Sequence, residues 1–393
     1  MAKPTIRFKG YTEDWEQRKL DDVVEFLDTM RKPLEGAKRI SGSYPYYGAS
    51  GIVDYVDGYL FDEELILLSE DGANITDRNY PVCFLASGKY WVNNHAHVLR
   101  TKKENENNFI CNSLERKDYT QYNTGMAMPK LNKETCRKIP ILCPAFEEQQ
   151  KIGDYFRSLD HLITLHQRKC EETKILKKYM LQKMFPQNGQ KVPEIRFKCF
   201  TEDWEQRKLS EFVDKAVDNR GKTPPLDENG THPLIEVAAL GGVHPNYSKV
   251  DKYLSDDSFE NNLRAYIKKG DILFTTVGSI GLVSLMDSRE EAAIAQNIVA
   301  FRAKENFIPE YLYALFSNEE NQYKANRIVM GAVQPSIKVS QLVDVEYMLT
   351  RNVKEQKKIG SFFSNIDNLI TLHQRKCEEL KNIKKFMLQN MFV

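Results

Sequence analysis

Two nearly identical stretches decide how this chain is organised. Residues 4–20 read PTIRFKGYTEDWEQRKL and residues 193–209 read PEIRFKCFTEDWEQRKL, so that 14 of 17 positions are identical. A second block, LITLHQRKCEE, stands unchanged at residues 162–172 and 369–379. Solenoid repeats recur every 20–50 residues or so, whereas these blocks lie 189 and 207 residues apart. The pattern therefore indicates two copies of one unit, each a globular domain followed by a tail.

The segments between the paired blocks have diverged. Residues 21–146 and 210–353 are unlike in sequence and share only a faint skeleton, in which GMAMPKL at 125–131 resembles GAVQPSI at 331–337. One fold that presents two different surfaces fits this pattern. The alternative is a duplicated structural protein whose inserts have drifted.

Composition limits the class of protein. With 393 residues and 41% hydrophobic side chains, the chain can form two or three domains with real cores. No apolar run approaches 18 residues, and the N-terminal MAKPTIRFKG lacks the apolar stretch of a signal peptide. Seven cysteines without a CxxC pair indicate reduced thiols. We therefore expect a cytoplasmic protein with no membrane partner.

The charge balance argues against a generally basic nucleic-acid binder. The chain carries 56 basic and 55 acidic residues, for a formal net charge of +1. Any contact with DNA must come from local patches or be shared with partner chains.

The inserts predict an α+β fold. The segments YPYYGASGIVDYV at 44–56 and GDILFTTVGSIGLVSLM at 270–286 are rich in β-branched and aromatic residues and are interrupted by glycine, as strands and turns are. The segment PEYLYALFSNEENQYKAN at 309–326 has the pattern of a helix.

The tails predict long helices. Residues 147–185 contain no proline, and neither do residues 355–392. Pro186 ends the first helix. One set of residues in each tail recurs at alternating spacings of four and three, which is the seam of a coiled coil, here with a polar middle. The seam residues are Ile152, Phe156, Leu159, Ile163, His166, Cys170, Thr173, Lys177, Met180 and Met184 in the first tail, and Ile359, Phe363, Ile366, Ile370, His373, Cys377, Leu380, Lys384, Met387 and Met391 in the second. Because a whole domain separates the tails, they can pair antiparallel.

We thus predict two homologous α/β domains separated by a pair of long antiparallel coiled-coil helices, with a pseudo-two-fold internal repeat. The predicted bounds are residues 1–146 for the first domain, 147–190 for the first helix, 191–350 for the second domain and 351–393 for the second helix.

The chain resembles a known family, the specificity subunits of type I restriction-modification systems. The similar stretches are residues 41–75 (SGSYPYYGASGIVDYVDGYLFDEELILLSEDGANI), 220–225 (RGKTPP), 144–156 (PAFEEQQKIGDYF) and 354–359 (KEQKKI). Each is a weak signal alone, but their order, repeated twice over nearly the whole chain, is specific.

The resemblance implies a DNA sequence-specificity subunit with two target-recognition domains. Each domain would read one half of a split, asymmetric site in double-stranded DNA, and the helices would set the unread spacer. Two modification (methyltransferase) subunits would dock on the helices and methylate adenine N6 with S-adenosylmethionine. Restriction subunits would join, translocate DNA with ATP and cleave it. The chain itself would be non-catalytic and bind no cofactor.

The chemical motifs agree with a chain that has no catalytic site. Methylation of adenine N6 needs a [DN]PP[FY] loop, and the nearest string, Thr223-Pro224-Pro225-Leu226, lacks both the acceptor and the stacking aromatic. The segment 216–223 fits a relaxed P-loop pattern, but prolines follow at once where a P-loop opens a helix. An autonomous nuclease or methyltransferase, and a coiled-coil scaffold without a DNA role, are the competing classes.

Two further patterns have a functional and a structural interpretation. His166 and Cys170, with His373 and Cys377, could form a zinc site if the helices pair near their middles. Polar residues at a coiled-coil seam more often fix its register, and we expect no metal. Lys222 and Arg220 are predicted DNA contacts, with a solvated loop as the alternative.

Base edges are read by Arg, Lys, Asn, Gln, Ser and Thr, and loops on a rigid scaffold are the usual place for them. In the first domain the predicted DNA-binding residues are Lys32, Arg39, Ser43, Tyr44, Tyr46, Tyr47, Ser50, Asn74, Lys89, Tyr90, Asn93, Asn94 and Lys130. In the second they are Arg220, Lys222, Thr223, Thr275, Thr276, Ser279, Gln296, Asn297, Gln334, Ser336 and Lys338. The aromatic members have a core role as their alternative, and Gly51, Gly72, Gly278 and Gly281 are predicted turn glycines.

Overall fold

The computed structural model describes residues 3–187, 189–218, 224–331 and 335–393, except for the side chains of Lys38 and Asp218. The chain forms two compact units. Unit 1 contains residues 1–167 and 375–393, and unit 2 contains residues 168–374. Each unit therefore includes a part of both long helices.

The first half of the chain supplies ten strands and four short helices before the first long helix. The strands are β1 (Glu16–Lys19), β2 (Val24–Phe26), β3 (Ser41–Gly48), β4 (Gly51–Val56), β5 (Phe61–Asp62), β6 (Leu65–Ser69), β7 (Cys83–Ala86), β8 (Lys89–Val92), β9 (Ala96–Thr101) and β10 (Pro140–Cys143). The helices are α1 (Leu20–Val23), α2 (Asn74–Asp77), α3 (Asn107–Arg116), α4 (Lys133–Arg137) and the long α5 (Phe146–Lys183).

In the described residues of the second half the same plan recurs, with nine strands. The strands are β11 (Glu205–Lys208), β12 (Val213–Asp218), β13 (His232–Ile235), β14 (Tyr253–Leu254), β15 (Ile272–Thr275), β16 (Val283–Leu285), β17 (Ala293–Ile294), β18 (Ile298–Ala303) and β19 (Glu346–Leu349). The helices are α6 (Leu209–Phe212), α7 (Asp256–Asn262), α8 (Pro309–Ser317), α9 (Glu319–Asn326), α10 (Val339–Leu342) and the long α11 (Val353–Asn390).

The sheets show that the diverged inserts keep one fold. Unit 1 has a four-stranded antiparallel sheet in the order β2-β9-β6-β7, and unit 2 has β12-β18-β15-β16 in the equivalent order. The ribbon β1-β10 likewise corresponds to β11-β19. The remaining sheets differ, because unit 1 has β4-β3-β8-β5 where unit 2 has β14-β13-β17. The predicted α+β fold with an internal repeat is confirmed.

The long helices run antiparallel within each unit. In unit 1, the rings of Phe156 and Phe392 lie 5.7 Å apart, and Lys384 Nζ lies 2.6 Å from Asp160 Oδ1. Residue numbers therefore increase along α5 in the direction in which they decrease along α11. In unit 2, the equivalent pairs are Phe363 with Phe185, at 6.1 Å, and Asp367 with Lys177, at 2.6 Å.

Each unit completes its core with the end of a long helix. In unit 1, Trp15 packs edge-on against Phe392, which follows α11, at 6.3 Å. In unit 2, Trp204 packs in the same way against Phe185, which follows α5, at 5.8 Å. All four side chains are buried. The N-terminal ends of the long helices enter the same cores through Phe156 and Phe363.

A buried ion pair fixes the start of each long helix. Arg7 donates two hydrogen bonds to Glu148, at 2.7 and 2.8 Å, and Arg196 donates two to Glu355, at 2.7 and 3.0 Å. Both carboxylates are fully buried. Charge-assisted bidentate pairs of this kind hold a defined geometry, so the repeated IRFK segments clamp the helices in the same way in both units.

The long helices carry too many charged residues to cross a membrane, and no other helix in the described part of the chain is long and apolar enough to do so. All seven cysteines are free, with Cys83 Sγ and Cys111 Sγ 3.8 Å apart in the unit 1 core.

Candidate nucleic-acid interface

Four loops of unit 1 meet at one end of its main sheet, and we call them the unit 1 loop cluster. They are the turn between β3 and β4 (residues 49–50), the turn after β6 (70–72), the turn between β8 and β9 (93–95) and the loop at 123–131. Backbone hydrogen bonds join them, from Glu70 N to His95 O at 2.9 Å and from Leu131 N to Glu70 O at 2.7 Å. The Ser69 hydroxyl ties in the first turn by donating to Ala49 O at 2.6 Å.

Unit 2 repeats the backbone bonds with different residues in the turn after β15 (276–278), the turn between β17 and β18 (295–297) and residues 335–338, which we call the unit 2 loop cluster. Thr276 N donates to Asn297 O at 2.9 Å, and Ile337 N donates to Thr276 O at 2.8 Å. Gly278 N donates to Pro335 O at 3.1 Å, as Gly72 N donates to Pro129 O at 3.0 Å in unit 1. The backbone framework is therefore shared, while the side chains that it displays are not.

Two glycines at equivalent turns show why the framework survives divergence. Gly72 has φ of +122° and Gly278 has φ of +77°, both in the region that side chains with a Cβ rarely adopt. The sequence predicted both as turn glycines, and their conformations confirm it.

A buried charged network supports the unit 1 loop cluster from below. His97 Nδ1 lies 2.8 Å from Asp28 Oδ2, and His97 Nε2 lies 2.8 Å from Leu131 O. Both partners are acceptors, so both ring nitrogens donate and the imidazole is a cation. Burial opposes this charge, but the interactions with Asp28 and Cys136 together outweigh it and raise the pKa of His97 to about 10. His97 thus anchors the end of the 123–131 loop.

Arg31 extends the network to the loop turns. Its Nη1 donates to Glu70 Oε2 and to Ala96 O, both at 2.7 Å. Burial alone would raise the pKa of Asp28, but the hydrogen bond from His97 and the nearby charge of Arg31 lower it below its ordinary value. The network keeps three loop backbones in fixed positions.

Several predicted residues of unit 1 are exposed and free to meet a ligand. Lys32, Ser43, Ser50, Asn94 and Lys130 belong to this group. Of these, Ser50, Asn94 and Lys130 lie in the unit 1 loop cluster. Lys130 Nζ lies 3.5 Å from Glu70 Oε1, so its charge is only loosely held.

Four predicted contacts of unit 1 are instead buried. Tyr46 and Tyr90 are core residues, which is the alternative that the sequence left open for the aromatics. The Asn74 amide donates to Ser69 Oγ at 2.9 Å, and the Asn93 amide oxygen accepts from His95 N at 2.8 Å. These side chains are buried and have partners within the domain, so in this structure they support the loops, and a contact with DNA stays a prediction.

The remaining predicted residues of unit 1 are partly engaged. The Arg39 guanidinium lies 4.6 Å from the centre of the Tyr46 ring and 3.2 Å from Asp54 Oδ2. Tyr44 packs against Tyr59, over which Lys89 Nζ lies at 4.8 Å. Tyr47 is half-buried against Phe84 and Tyr90. These side chains form a face on β3 and its neighbours, outside the loop cluster.

In unit 2 the predicted residues divide in the same way. Ser279, Gln296 and Lys338 are exposed, and Asn297 and Ser336 are half-buried. Thr275 and Thr276 are fully buried: the Thr275 hydroxyl donates to Ser279 O at 2.5 Å and that of Thr276 to Asn297 O at 3.2 Å. These threonines therefore support the turns. Arg220, Lys222, Thr223 and Gln334 lie outside the described residues.

Sequence reasoning missed four residues of the unit 1 loop cluster and its support. They are Arg31, Glu70, Asp71 and His95. His95 is half exposed and its Nδ1 lies 2.8 Å from Asp71 Oδ1. Aligning the GMAMP and GAVQP motifs and extending the register to the preceding strands would have found Glu70, because it occupies the position of the predicted Thr276.

The zinc alternative at the helix seam gains no support. Among the residues that the structure describes, no group of three or more His, Cys, Asp or Glu side chains is arranged to hold a metal ion.

In the described part of the chain, each unit also exposes apolar side chains on both long helices. In unit 1, which we call helix face 1, Leu162, Ile383 and Phe386 are 40–55% exposed. In unit 2, the equivalents 207 residues away are Leu369, Leu176 and Tyr179, exposed by 47–48%, which form helix face 2. Each face therefore combines α5 and α11.

The chain matches the type I restriction modification DNA specificity domain twice, over residues 12–174 and 201–382. It is 30% identical, over 78% of its length and 77% of the relative's, to a Haemophilus influenzae protein described as a type I restriction enzyme specificity subunit. It is 24% identical to the specificity subunit of a type I restriction enzyme from Methanocaldococcus jannaschii, over 95% of this chain and 91% of that one.

A solved structure shows the same fold. The crystal structure of a type I restriction-modification system S subunit from M. genitalium aligns with 100% of this chain and 99% of that one. The TM-score is 0.70 and the sequence identity is 12%. The fold is thus retained where most residues differ.

Proposed function

Because the chain belongs to the type I restriction modification DNA specificity family, we propose that each of its two loop clusters reads one half of a split, asymmetric DNA target. The chain is a specificity subunit with two target-recognition domains. What the family does not give is which surface of each domain meets the bases.

One observation carries the proposal. The two loop clusters share their backbone hydrogen bonds but display different side chains, such as Lys130 where unit 2 has Ser336 and His95 where unit 2 has Asn297. A shared framework gives both domains the same orientation towards a duplex, whereas different side chains give each half-site its own sequence.

The exposed side chains suit base reading. Asn94 and Gln296 can each form two hydrogen bonds with adenine, and Lys130 and Lys338 can donate to guanine or phosphate. Ser50 and Ser279 can contact any base. Arg220, Lys222, Thr223 and Gln334 stay predicted contacts on sequence grounds.

The chemistry would belong to partner subunits. Helix faces 1 and 2 are apolar, exposed and equivalent by the internal repeat, so two copies of one partner can dock in the same way. We assign these places to two modification subunits that methylate adenine, with restriction subunits joining the complex. In this assignment residues 1–146 and 191–350 read DNA, residues 147–190 and 351–393 form the spacer, and the chain catalyses no reaction.

A domain exchange tests the reading proposal. Residues 21–146 are replaced by the equivalent segment of a relative with a different target, and methylated adenines are mapped across the host genome. One half of the methylated motif should change while the other half and the spacer stay the same. The matched exchange of residues 210–353 should change the opposite half. If either exchange altered both halves, the two clusters would not read independently.

Partner stoichiometry tests the docking assignment separately. Ile383→Asp with Phe386→Asp should reduce the complex from two modification subunits per chain to one, because helix face 1 would become charged. Leu176→Asp with Tyr179→Asp should do the same at helix face 2, and all four changes should abolish the complex. Asn382→Asp, at an exposed polar position of α11, is the control. Two subunits retained by both paired variants, measured by native mass spectrometry, would contradict the assignment.

A further inference from the structure

The tip of the 123–131 loop carries two methionines that no part of the fold explains. Met126 is fully exposed and Met128 is 59% exposed. A single exposed apolar side chain is ordinary. These two long apolar side chains lie on one short loop in contact with water, and neither is part of the unit 1 core. The loop that carries them belongs to the unit 1 loop cluster.

The loop is held rigidly although its tip projects. The Asn123 side-chain oxygen accepts from Gly125 N at 2.9 Å and from Lys130 N at 2.8 Å, which closes the loop at its base. Thr124 N also donates to Lys130 O at 2.8 Å. A Cβ on Gly125 would lie 1.8 Å from Met128 O, so glycine is required for this tight path.

The base of the loop is fixed to the body at two further points. Gly72 N donates to Pro129 O at 3.0 Å, and the buried His97 cation donates to Leu131 O at 2.8 Å. The ordering cost of the loop has therefore been met before any ligand arrives, which favours binding. The methionines stand on a pre-organised support rather than on a loose segment.

The surroundings favour DNA as the occupant. Lys130, on the same loop, is half exposed, and its ammonium group, 3.5 Å from Glu70 Oε1, can turn from that carboxylate to a phosphate. Ser50 and Asn94, two further exposed polar residues of the same cluster, have side chains that can bond to base edges. Flexible apolar side chains on a rigid projection next to such residues are the means by which proteins enter a base step and partly unstack it.

We infer that Met126 and Met128 form an apolar wedge that inserts at a base step of the half-site read by unit 1. This inference rests on the proposed function, because it assumes that the unit 1 loop cluster faces DNA. The motif at 331–335 of unit 2 has alanine and glutamine at the aligned positions. The wedge thus belongs to one half-site only and adds a sensitivity to step deformability there.

The test uses the full chain and a duplex that contains its mapped target, with 2-aminopurine placed in turn at each position of both half-sites. Unstacking raises the fluorescence of this base. With the unchanged chain, fluorescence should rise several-fold at one step of one half-site. With Met126→Ala and Met128→Ala together, the rise should disappear and affinity should fall by at least tenfold. Met126→Leu with Met128→Leu should retain much of both effects.

The outcomes separate the wedge from the proposed function. If the unchanged chain does not distinguish its target from a scrambled duplex, DNA reading by this chain fails. If it does, but the double Ala variant binds and brightens the probe equally, only the wedge is overturned. Insertion would also be overturned if the double Ala variant bound DNA more weakly while 2-aminopurine did not brighten in the complex of the unchanged chain.

A protein partner on the same tip would give a third result. The double Ala variant would bind DNA normally but lose the modification subunits, and this would overturn the inference. Ile175→Ala, which shortens an exposed aliphatic side chain of α5, is the matched control and should leave DNA affinity unchanged.

Discussion

Because of the His97 network, the stability of unit 1 should fall as pH rises into the alkaline range. His97 is buried, and its pKa is raised from 6.5 to about 10 in the folded chain. Between these two values the folded state holds a proton that the unfolded chain has released, so stability is complete below pH 6.5 and falls as pH rises towards 10. In this window each pH unit lowers the free energy of unfolding by about 1.4 kcal/mol. Over the whole window the loss is up to about 5 kcal/mol.

The assay is urea denaturation at pH 6.5, 8 and 9.5. A Trp204→Phe background leaves Trp15 and Trp91 as fluorescent reporters, both in unit 1. In the variant His97→Gln no group titrates at this place, so its free energy of unfolding should be lower at pH 6.5 but should change less with pH. The difference between the two proteins should therefore shrink as pH rises, because side chains that titrate in both cancel.

Unit 2 provides an internal control. Its residue at the position of His97 is Val299, by the register of the equivalent strands. Since the folded chain keeps the His97 proton up to a pKa of about 10, discrimination of the half-site read by unit 1 should persist at pH 9.5 and weaken above pH 10, while that of the other half-site should persist throughout. A pH slope that is the same for the His97 protein and for His97→Gln would refute the reasoning.

Three other predictions follow from the duplicated frame. Glu355→Ala should lower the free energy of unfolding in denaturant titrations by about 3–5 kcal/mol, because it leaves Arg196 unpaired. Glu148→Ala is the equivalent change in unit 1. A loss below about 1 kcal/mol would contradict this prediction. Four residues added after both Glu172 and Glu379 lengthen each helix by about 6 Å and should widen the methylated motif by one or two base pairs, whereas an unchanged gap would exclude the helices as the ruler. Residues 1–190 alone should form a homodimer in sedimentation, in which Phe185 replaces Phe392; a stable monomer would disprove it.

The sequence predicted the long helices and the duplicated fold well because both depend on local pattern. The helix expected at 147–185 spans Phe146–Lys183, and that expected at 355–392 spans Val353–Asn390. Unbroken periodicity and Pro186 were sufficient for these bounds. The bounds of the recognition domains stay a prediction, since the compact units divide both helices between them.

The candidate site was harder to predict because burial is a long-range property. Tyr44 and Tyr46 belong to one strand and one residue type, yet only Tyr46 points into the core, where its hydroxyl accepts from Leu34 N. Asn74 was predicted to contact a base because its amide can form hydrogen bonds with one. The backbone of a turn needs the same kind of partner, so residue type alone does not separate the two roles. Arg31 gave no signal at all, since its role depends on Glu70, 39 residues away.

The exchange of helix ends between the two halves has a consequence for biosynthesis. Unit 1 needs residues 375–393 for its core, and some 200 residues of unit 2 must be translated first. At about 5–20 residues per second, the first domain waits for roughly 10–40 s with the surface around Trp15 and Phe156 uncovered. During that time a neighbouring nascent chain could offer its own Phe185. We therefore expect folding of unit 1 on the polysome to compete with pairing between neighbouring nascent chains, and wider spacing of the ribosomes to favour the correct product.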